Sequence, residues 1–496
     1  MDSATFAAPH FEFDNSFARE LNGFFVPVTA AKATSPRLLL LNRALADELG
    51  LSAAAFVSEL GTSILAGNVV PEGATPLAQA YAGHQFGSFS PQLGDGRALL
   101  LGEVIDRNGR RRDIQLKGSG RTPFSRNGDG KAAVGPMVRE YLIGEAMHAL
   151  GIPTTRALSV VSTGEVVHRE TSLPGAVLTR VAASHLRVGT FEFFAAQGDV
   201  DKVRRLADYA IARHYPYLQG ASDCYLSFFR AVLDAQASLV ARWMNVAFIH
   251  GVMNTDNVTI SGETIDYGPC AFMDAYSPDT AFSSIDLHGR YAYANQPPIA
   301  HWNLARLAET LVLIVDEDAE RAVSLLTEAL QTFPSIYQNY WLAEMRQKVG
   351  LTIEDDGDHA LIKDLFAVMK AGGADFTLVF RRLSHAAVGD DAPIRRLFPE
   401  PAALDIWLDR WRLRASQEPV TTDQRRLAMD QINPIYIPRN HKVEEALAAI
   451  VDREDISVLS KMLKAVTNPF EEMDDMGEFS EPGEVGPVPY QTFCGT

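Results

Sequence analysis

The stretch His250-Gly251-Val252-Met253-Asn254-Thr255-Asp256-Asn257, followed by Asp266-Tyr267-Gly268, decides the fold class of this chain. Its layout is H-G-D-x-x-x-x-N followed by D-x-G, with one member replaced. In that layout the first Asp accepts the proton of an attacking hydroxyl, and the Asn and the later Asp hold metal ions that bridge nucleotide phosphates. Val252 stands where the proton acceptor should be, whereas Asn257 and Asp266 keep the metal-binding positions. This combination indicates an inactive kinase or an enzyme with different chemistry.

Two features upstream follow the chain order of a kinase-like nucleotide site. A turn, Gly94-Asp95-Gly96-Arg97, precedes an apolar run, and its glycines would let the backbone approach phosphates closely. Lys117 ends the alternating run 113–117, where an ammonium group would reach the phosphates. Taken singly, a tight turn and a surface lysine explain these residues better. All the pieces in order predict a nucleotide–metal site.

A carboxylate partner for Lys117 is expected on a helix predicted over 136–150, which begins at Pro136 and ends before Gly151. Glu140 and Glu145 each lie on a partly apolar stripe of this helix. Burial of either carboxylate requires a partner. Periodicity does not choose between the two.

Positive charge is concentrated in one region of an acidic chain. Between Asp106 and Lys131 there are eight basic residues against three acidic ones, although the net charge of the chain is −17. Such a field suits an anionic ligand, while a solvated hairpin rim explains Arg110–Arg112 equally well. Arg180 and Arg187 would clamp phosphates bidentately, and structural ion pairing is an equal alternative.

Composition bounds the function classes. The chain has 496 residues, 47% of them hydrophobic and 22% charged, which is typical of a globular protein of two or three domains. The net charge of −17 argues against nucleic acid as a partner. No apolar run approaches a membrane span and no signal segment is visible at the first residues, so we expect a cytoplasmic protein. Three cysteines, Cys224, Cys270 and Cys494, indicate a reducing compartment and neither a disulfide scaffold nor a zinc site.

The distribution of patterns along the chain predicts an α+β protein, with strands first and helices afterwards. Strands are expected at 97–105 and 113–117, joined at Asn108-Gly109, and a helical stretch over Leu38–Leu51. The expected segments are an N-terminal extension (1–75), a strand-rich part (76–190), a helical part with the catalytic loop (191–340), a further helical region (341–464) and a mobile acidic tail (465–496).

At this point the chain resembles the selenoprotein O family, pseudokinases that act as protein adenylyltransferases. The resemblance covers nearly the whole chain. It is carried by these stretches: Tyr81-Ala82-Gly83-His84-Gln85-Phe86-Gly87, Gln92-Leu93-Gly94-Asp95-Gly96-Arg97, Gln115-Leu116-Lys117-Gly118-Ser119-Gly120, Arg139-Glu140-Tyr141-Leu142, His250 to Asn257, Ile265-Asp266-Tyr267-Gly268-Pro269 and Asn433-Pro434-Ile435-Tyr436-Ile437-Pro438-Arg439-Asn440.

The resemblance implies a bilobal protein-kinase-like fold. It would have a strand-rich N-lobe (76–190), a helical C-lobe (191–340) and an additional helical C-terminal region. ATP would bind in a flipped orientation, with its α-phosphate facing the acceptor. AMP would then pass to a Ser, Thr or Tyr hydroxyl of a protein substrate, and pyrophosphate would leave.

The same resemblance implies roles for single residues. Asp256 would be the general base, and Asn257 and Asp266 would bind Mg²⁺ or Mn²⁺. Glu140, rather than Glu145, would position Lys117. Phosphates and nucleotide would be contacted by Lys117 and by Gly94, Gly96, Arg97, Asp129, Gly130, Arg180 and Arg187.

Alternatives remain open from the sequence. A small-molecule phosphotransferase shares the H-G-x-x-x-x-x-N loop, but Val252 removes its base. A non-catalytic nucleotide sensor would keep the same binding residues, and UTP could replace ATP as the donor. The preferred metal, the protein substrates and the oligomeric state are not readable from the chain.

The family resemblance also draws attention to a thiol near the C-terminus, because some members carry selenocysteine in this region. Cys494 occupies that region here, and Cys270 follows the metal-binding Asp266 closely. We therefore expect a reversible Cys270–Cys494 disulfide that pins the tail across the active site. Two unrelated thiols are the simpler alternative.

Overall fold

The structure, a computed structural model, describes residues 9–484 and 490–493. It is an α+β protein, with most of its strands in the first part of the chain and helices dominating afterwards, which confirms the predicted class. The described strands are β1 (Phe25–Pro27), β2 (Arg37–Leu41), β3 (Leu77–Gln79), β4 (Gly83–Gln85), β5 (Ser88–Ser90), β6 (Ala98–Ile105), β7 (Arg111–Lys117), β8 (Ala132–Ala133), β9 (Arg156–His168), β10 (Ser172–Ala182), β11 (Phe248–Ile249) and β12 (Ala271–Phe272).

The helices fall into three groups along the chain. Short ones precede the main strands: α1 (Ser16–Glu20), α2 (Arg43–Glu48), α3 (Ala53–Phe56) and α4 (Glu59–Leu65). The middle group is α5 (Val134–Ala149), α6 (Val188–Ala195), α7 (Val200–His214) and α8 (Cys224–Asn245). The last group is α9 (Gln296–Val315), α10 (Ala319–Leu330), α11 (Phe333–Lys348), α12 (Asp358–Gly372), α13 (Phe376–Ala386), α14 (Ala392–Arg395), α15 (Ala402–Ala415), α16 (Thr422–Ile432), α17 (Asn440–Arg453) and α18 (Ser457–Val466).

The main sheet is antiparallel and runs in the order β1-β3-β6-β7-β10-β9-β2, with β8 attached to β10. The hairpin between β6 and β7 turns at Asn108-Gly109, as predicted, and Gly109 takes the φ of 74° that this turn requires. Lys117 lies opposite Ala98 on one side and Leu178 on the other. A central strand therefore fixes the backbone of this lysine.

Each face of the sheet is covered by helices, because successive side chains of a strand point to opposite sides. Val177 and Val181 of β10 pack with the apolar side chains of α2, α3 and α4. Ala176 and Leu178, on the other face, pack beneath α5. The outer side of α5 contacts α17 and α18, so this helix is buried on nearly all sides. The C-terminal helices thus hold α5 in place.

A small two-stranded ribbon positions the catalytic stretch. Phe248 of β11 pairs with Phe272 of β12, and Ile249 pairs with Ala271. The segment 250–270 between them is consequently a closed loop whose two ends lie side by side. It rests on the large helical core formed around α8 and α9.

The helix predicted over Leu38–Leu51 is wrong in its first half. Leu38 and Leu40 belong to β2, where they pair with Val161 and Val160 of β9. Asn42 then begins α2, because its side chain accepts the N–H of Leu45 at 3.0 Å. A leucine run next to a sheet edge gains more from strand pairing than its helix propensity offers.

Sequence patterns also missed a hairpin in the glycine-rich segment 81–96. β4 and β5 pair there, and the turn between them places Phe86 at a φ of 51°. These strands are too short to show a period, which explains the omission. β9, in contrast, is a single long strand of 13 residues.

Composition predicts a mobile tail after residue 465, and among its described residues some are buried and others exposed. Met476 and Phe479 are buried in the cluster beneath α17 and α18, and Thr492 is buried beside residues 282–284. Cys494 lies outside the described residues, so its disulfide with the fully buried Cys270 stays a prediction. Within 9–484 and 490–493, no helix is long and apolar enough to cross a membrane.

One lysine is buried in the helical core. The Nζ atom of Lys348 lies 4.5 Å from the ring centroid of Phe380 and 5.8 Å from that of Phe376. Burial lowers the pKa of Lys348 to about 7, although the Glu344 carboxylate opposes this shift. The folded protein therefore releases this proton at a lower pH than the unfolded chain, which holds it up to about pH 10.

We expect Lys348→Met to raise the free energy of unfolding by about 1–3 kcal/mol at pH 7. The unfolded wild type binds one more proton between pH 7 and 10, so its stability rises with pH in that window and the advantage of the variant disappears by about pH 10. Thermal unfolding of both proteins across this range measures the difference. Lys363→Met, at an exposed position of α12, is the control, and an equal gain from it would contradict the prediction.

Candidate functional site

A cavity of about 1260 Å³ is lined on one side by the main sheet and α5 and on the other by the catalytic stretch. Every predicted site residue reaches it. These residues are Gly94, Gly96, Arg97, Lys117, Asp129, Gly130, Glu140, Arg180, Arg187, Asp256, Asn257 and Asp266. The fold thus brings together side chains that lie far apart in the sequence.

Asp266 is at the centre of the charged part of this cavity. Its Oδ1 accepts hydrogen bonds from Lys117 Nζ at 2.8 Å and from Arg180 Nη1 at 2.6 Å. Its Oδ2 accepts one from Arg187 Nη1 at 2.9 Å. Burial raises the pKa of Asp266, but the three cations outweigh burial and hold it well below its usual range. The backbone φ of Asp266 is 61°, a left-handed conformation that non-glycine residues rarely adopt outside functional sites.

The structure distinguishes the two candidate carboxylates of α5. Glu140 Oε2 accepts a hydrogen bond from Lys117 Nζ at 2.6 Å, and Oε1 accepts one from Arg180 at 3.2 Å. Glu145 instead forms a two-point contact with Arg156, at 2.9 and 2.7 Å, away from the cavity. Glu140 is therefore the partner of Lys117.

Two buried residues near the charged centre have roles that the sequence patterns did not assign, and of the two Asp95 lines the cavity. Gln115 Oε1 accepts hydrogen bonds from Arg180 at 3.1 Å from Nε and 2.6 Å from Nη2, which fixes the guanidinium plane. Asp95 lies beside Gln115 and accepts the N–H of Gln79 at 3.0 Å. Burial raises the pKa of Asp95 to about 6, with Arg187 opposing. Gln115 precedes Lys117 by two residues, so strand alternation could have placed both on one face.

The glycines of the predicted turn are needed for close backbone packing. A Cβ atom on Gly94 would overlap the ring of Phe124, and one on Gly130 would overlap the backbone of Gly120. Both have positive φ, 67° and 69° respectively. These residues leave room where the wall of the cavity meets the segment 120–130.

The basic residues between Arg107 and Lys131 separate into two sets. Lys117, Arg126 and Lys131 line the cavity. Arg110 and Arg112, in contrast, donate to Asp106 Oδ2 at 3.0 and 3.1 Å. Arg110 and Arg112 therefore stabilise the hairpin, which agrees with their interpretation as residues of the hairpin rim.

Asp129 and Arg97 reach the outer part of the cavity. Asp129 accepts hydrogen bonds from Arg169 at 3.0 and 3.1 Å, and these hydrogen bonds lower its pKa. The carbonyl of Arg97 accepts the N–H of Gly118 at 2.7 Å. Arg169 is a cavity residue that the sequence reasoning missed.

Internal hydrogen bonds hold the catalytic stretch. His250 is buried, and its Nε2 donates to the carbonyl of Ile265 at 2.9 Å. Asn257 Nδ2 donates to the carbonyl of Val252 at 3.0 Å. His250 therefore has a structural role, and the amide of Asn257 is oriented by the residue that replaces the usual proton acceptor.

Asp256 is buried in a tightly packed part of the cavity. Its Oδ1 is buried and has no hydrogen-bond partner among the described residues. A Cβ atom on Gly83 would stand 2.5 Å from this oxygen, and one on Gly189 would meet its backbone at 3.4 Å. Burial raises the pKa of Asp256 to about 7, with Arg187 opposing. The Arg187 guanidinium also donates to the carbonyl of Asp256 at 2.7 Å.

A clamp that the sequence did not reveal holds the residue before Asp256. Thr255 Oγ1 donates to Glu192 Oε2 at 2.5 Å, and Glu192 Oε1 is bonded to His84 Nδ1 at 2.6 Å. The N–H of His84 returns to Thr255 Oγ1 at 2.7 Å. The β4–β5 hairpin and α6 thereby fix the turn that carries Asp256.

The donor atoms of the cavity fit a divalent cation that shares its coordination with phosphate. Among the described residues, no group of three or more His, Cys, Asp or Glu side chains could hold a metal ion alone. Asn257 Oδ1 faces away from the bond that its amide makes to Val252, and Asp266 lines the same cavity. Mg²⁺ usually takes one or two protein oxygens and completes its shell with phosphate and water.

Comparison with known proteins identifies one family along nearly the whole chain. The family model described as "Protein adenylyltransferase SelO" matches residues 8–467. This match spans the sheet, the catalytic stretch and all the helices, including those whose task the cavity does not explain.

Curated relatives share more than half of their residues with this chain. A protein nucleotidyltransferase YdiU of Cereibacter sphaeroides (strain KD131 / KCTC 12085) is 60% identical over 488 residues, which are 98% of this chain and 100% of that protein. A protein of the same name from Rhizobium meliloti (strain 1021) is 56% identical over 488 residues, 98% of this chain and 99% of its own. A third, from Rhizobium johnstonii, is 56% identical over 489 residues, 98% of this chain and 97% of its own.

The ion pairs of Asp266 lead to a prediction about the free energy of unfolding. Asp266→Asn leaves Lys117, Arg180 and Arg187 short of one carboxylate in a buried site. We expect it to lower the free energy of unfolding by about 3 kcal/mol. Inorganic triphosphate should then raise the melting temperature of the variant more than that of the wild type, because the cations are no longer shared with a carboxylate.

Differential scanning fluorimetry with and without triphosphate measures both effects. Asp279→Asn is the matched control, because the side chain of Asp279 is 82% exposed. Equal melting temperatures for the Asp266 variant and the wild type would show that the three cations do not depend on this carboxylate.

Proposed function

The chain belongs to the SelO family of protein adenylyltransferases, and from this premise we propose that it transfers AMP from ATP to Ser, Thr or Tyr hydroxyls of other proteins, with release of pyrophosphate. The proposal includes dependence on Mg²⁺ or Mn²⁺. It leaves open whether UMP from UTP is also accepted, because no contact in the cavity identifies a base. The acceptor proteins are proposed to be cytoplasmic, as is the enzyme.

A single juxtaposition carries this proposal. Val252 occupies the position from which a kinase takes the acceptor proton, while Asp256 places a carboxylate whose Oδ1 has no hydrogen-bond partner among the described residues into the same cavity. The carboxylate that could act as general base therefore lies further along the loop than the base of a kinase. This position fits a nucleotide whose α-phosphorus, and not its γ-phosphorus, faces the acceptor hydroxyl. That displacement supports transfer of the adenylyl group, by attack at the α-phosphorus, rather than transfer of the γ-phosphoryl group.

The cations of the cavity would bind the polyphosphate. Lys117, Arg180 and Arg187 stand in the buried part, and their donors now point at Asp266. Guanidinium groups bind phosphate through two parallel hydrogen bonds. In a flipped nucleotide they would hold the β- and γ-phosphates and stabilise the charge that develops on the leaving pyrophosphate.

The covalent step is a substitution at the α-phosphorus. The acceptor oxygen forms a bond to this phosphorus, the bond between it and the bridging α–β oxygen breaks, and pyrophosphate leaves with that electron pair. Asp256 takes the proton of the hydroxyl. The Glu192–Thr255–His84 clamp keeps that carboxylate in place during transfer. A divalent cation held by Asn257 and Asp266 would neutralise phosphate charge when bound.

The fold is proposed to be the bilobal kinase-like one. The main sheet with α5 would form the N-lobe (76–190), and α6 to α11 with the β11–β12 ribbon would form the C-lobe (191–340). Residues before 76 would complete the N-lobe sheet through β1 and β2. The helices of 341–464 would support α5 through α17 and leave the remaining surface for protein substrates.

The decisive measurement uses ATP labelled separately at the α- and γ-phosphates, with purified protein and Mg²⁺ or Mn²⁺. We expect label to enter protein from the α-position only, together with pyrophosphate. Asp266→Ala should abolish labelling, and Asp256→Asn should reduce it by about 10²–10⁴-fold because the general base is lost. Asp279→Asn should label like the wild type, since its side chain is exposed.

The labelling pattern distinguishes the alternatives. Label from the γ-position would make the protein a kinase despite Val252. Nucleotide binding without label from either position, tested with several acceptor mixtures, would make it a nucleotide sensor. Assays are run below the melting temperature of each variant, because Asp266→Ala also removes a charge from the buried site.

The position of Asp256 makes a further prediction. Gly83→Ala introduces a Cβ atom 2.5 Å from Asp256 Oδ1 and 2.9 Å from Leu93 Cδ1, so the carboxylate must shift. We expect a loss of about 10²-fold in the rate of transfer. ATP binding should change little, because Gly83 is not among the residues that line the cavity.

Initial rates with α-labelled ATP, and binding of a fluorescent ATP analogue, measure the two effects separately. Gly477→Ala is the matched control, because a Cβ atom there meets nothing within 4 Å. If Gly83→Ala labels protein at the wild-type rate, the position of Asp256 is not critical for transfer.

A further inference from the structure

A short segment near the C-terminus lies along the same cavity and pairs with residues 282–284 through one isolated β-bridge. Tyr490, Gln491, Thr492 and Phe493 all line the cavity. The N–H of Thr492 donates to the carbonyl of Phe282 at 2.8 Å, and the N–H of Ser284 donates to the carbonyl of Thr492 at 3.0 Å. The pairing of Ser283 with Thr492 is parallel. Residues 282–284 therefore offer a strand edge that accepts an extended polypeptide.

Side chains fix the direction of this segment. Thr492 Oγ1 donates to the carbonyl of Pro269, just after the Asp266-Tyr267-Gly268 turn, at 2.7 Å. The Tyr490 ring lies 5.8 Å from that of Phe282, and its hydroxyl donates to Glu444 at 2.6 Å. The edge thus selects an aromatic residue followed, two positions later, by a small hydroxyl residue.

The edge carries a hydroxyl group and exposed apolar side chains that are available to a different segment. Ser283 is only 6% exposed, yet its Oγ has no hydrogen-bond partner among the described residues. Apolar side chains stand exposed beside it, at 59% for Ile285, 85% for Leu287 and 71% for Phe493. Exposed apolar groups around a polar edge mark surfaces that bind other proteins.

We propose that the edge Phe282–Ser284 is the docking strand for an extended, hydroxyl-bearing segment of the acceptor protein, and that Tyr490–Phe493 of this chain occupies it in competition. This inference rests on the proposed function. Strand addition gives affinity through backbone hydrogen bonds and specificity through alternate side chains. The terminal segment already forms backbone hydrogen bonds and side-chain contacts with the edge. Its contacts therefore indicate how a segment of the acceptor would bind.

The sequence before the segment supports a competing role. Pro487 and Pro489 precede Tyr490 and lack the N–H groups that a longer strand would need. Two backbone hydrogen bonds at Thr492 hold the described strand pairing. An acceptor that pairs over more residues would displace it, and the chain then limits its own activity until such an acceptor arrives.

Binding of a peptide to the full-length protein tests the docking strand without any transfer. The probe is a fluorescent peptide of residues 487–493, Pro-Val-Pro-Tyr-Gln-Thr-Phe. Thr492→Pro in the protein removes an N–H and a hydroxyl that hold the terminal segment. We expect the peptide to bind this variant at least 10-fold more tightly than the wild type, by fluorescence anisotropy.

Two controls isolate the pairing. A peptide with Pro in place of Thr lacks the N–H that donates to Phe282, so it should not bind. Gln491→Ala in the protein should bind the peptide as the wild type does, because the Gln491 side chain makes no hydrogen bond with the described residues. Equal affinity of the peptide for wild type and Thr492→Pro, or equal affinity of both peptides, would overturn the proposal.

The acceptor role is tested with α-labelled ATP. We expect Thr492→Pro to label the Thr peptide at least 10-fold faster than the wild type at low peptide concentration, with unchanged affinity for ATP. If the peptide binds Thr492→Pro but no protein or peptide takes label in any assay, the docking strand stands and the proposed function fails. If proteins take label and bound peptide does not compete, the edge is not the acceptor site.

Discussion

The carboxylate of Asp266, whose side chain is 22% exposed, constrains the architecture around it because the cations that it binds are buried. It is held by Lys117 from β7, Arg180 from β10 and Arg187 at the start of α6. Buried charges are tolerated only when they are paired, so these elements must converge wherever this carboxylate lies. Glu140 adds a second negative charge from α5. Eight Lys and Arg residues line the cavity against six Asp and Glu residues, so the cavity is locally basic in a chain whose net charge is −17.

This local excess of positive charge explains how a protein with a negative net charge can bind a polyphosphate. The cations that a nucleotide needs are already buried and oriented, because Gln115 fixes Arg180 and the central strand fixes Lys117. Their present partner, Asp266, is also the proposed metal ligand. Phosphate oxygens would compete with Asp266 for the same donors, and the released carboxylate would then carry the charge that Mg²⁺ or Mn²⁺ requires. Nucleotide and metal would therefore bind cooperatively.

The sequence predicted the parts of the site that depend on local pattern. Lys117 ends an alternating strand and Asn257 and Asp266 have a recognisable spacing, so their shared cavity was expected. Residues whose roles depend on long-range contacts were not predicted. Glu192 belongs to no motif and Asp95 was quoted only as part of the glycine turn, and only the fold shows that one holds Thr255 and the other lies beside Gln115. Likewise, strand pairing with β9 overrode the helical pattern at 38–41.

The proposed acceptor edge and the proposed base are connected indirectly, through Tyr291 and Asn254. Tyr291 follows the edge residues 282–284, and its hydroxyl donates to Asn254 Oδ1 at 2.7 Å, two residues before Asp256. The same oxygen accepts the N–H of Phe86 at 3.0 Å, from the hairpin that packs against Asp256. A displacement of the edge is therefore transmitted to Asn254 and to that hairpin. Since a base must stand within hydrogen-bond reach of the proton it takes, an acceptor that docks on this edge also adjusts the group that activates its hydroxyl.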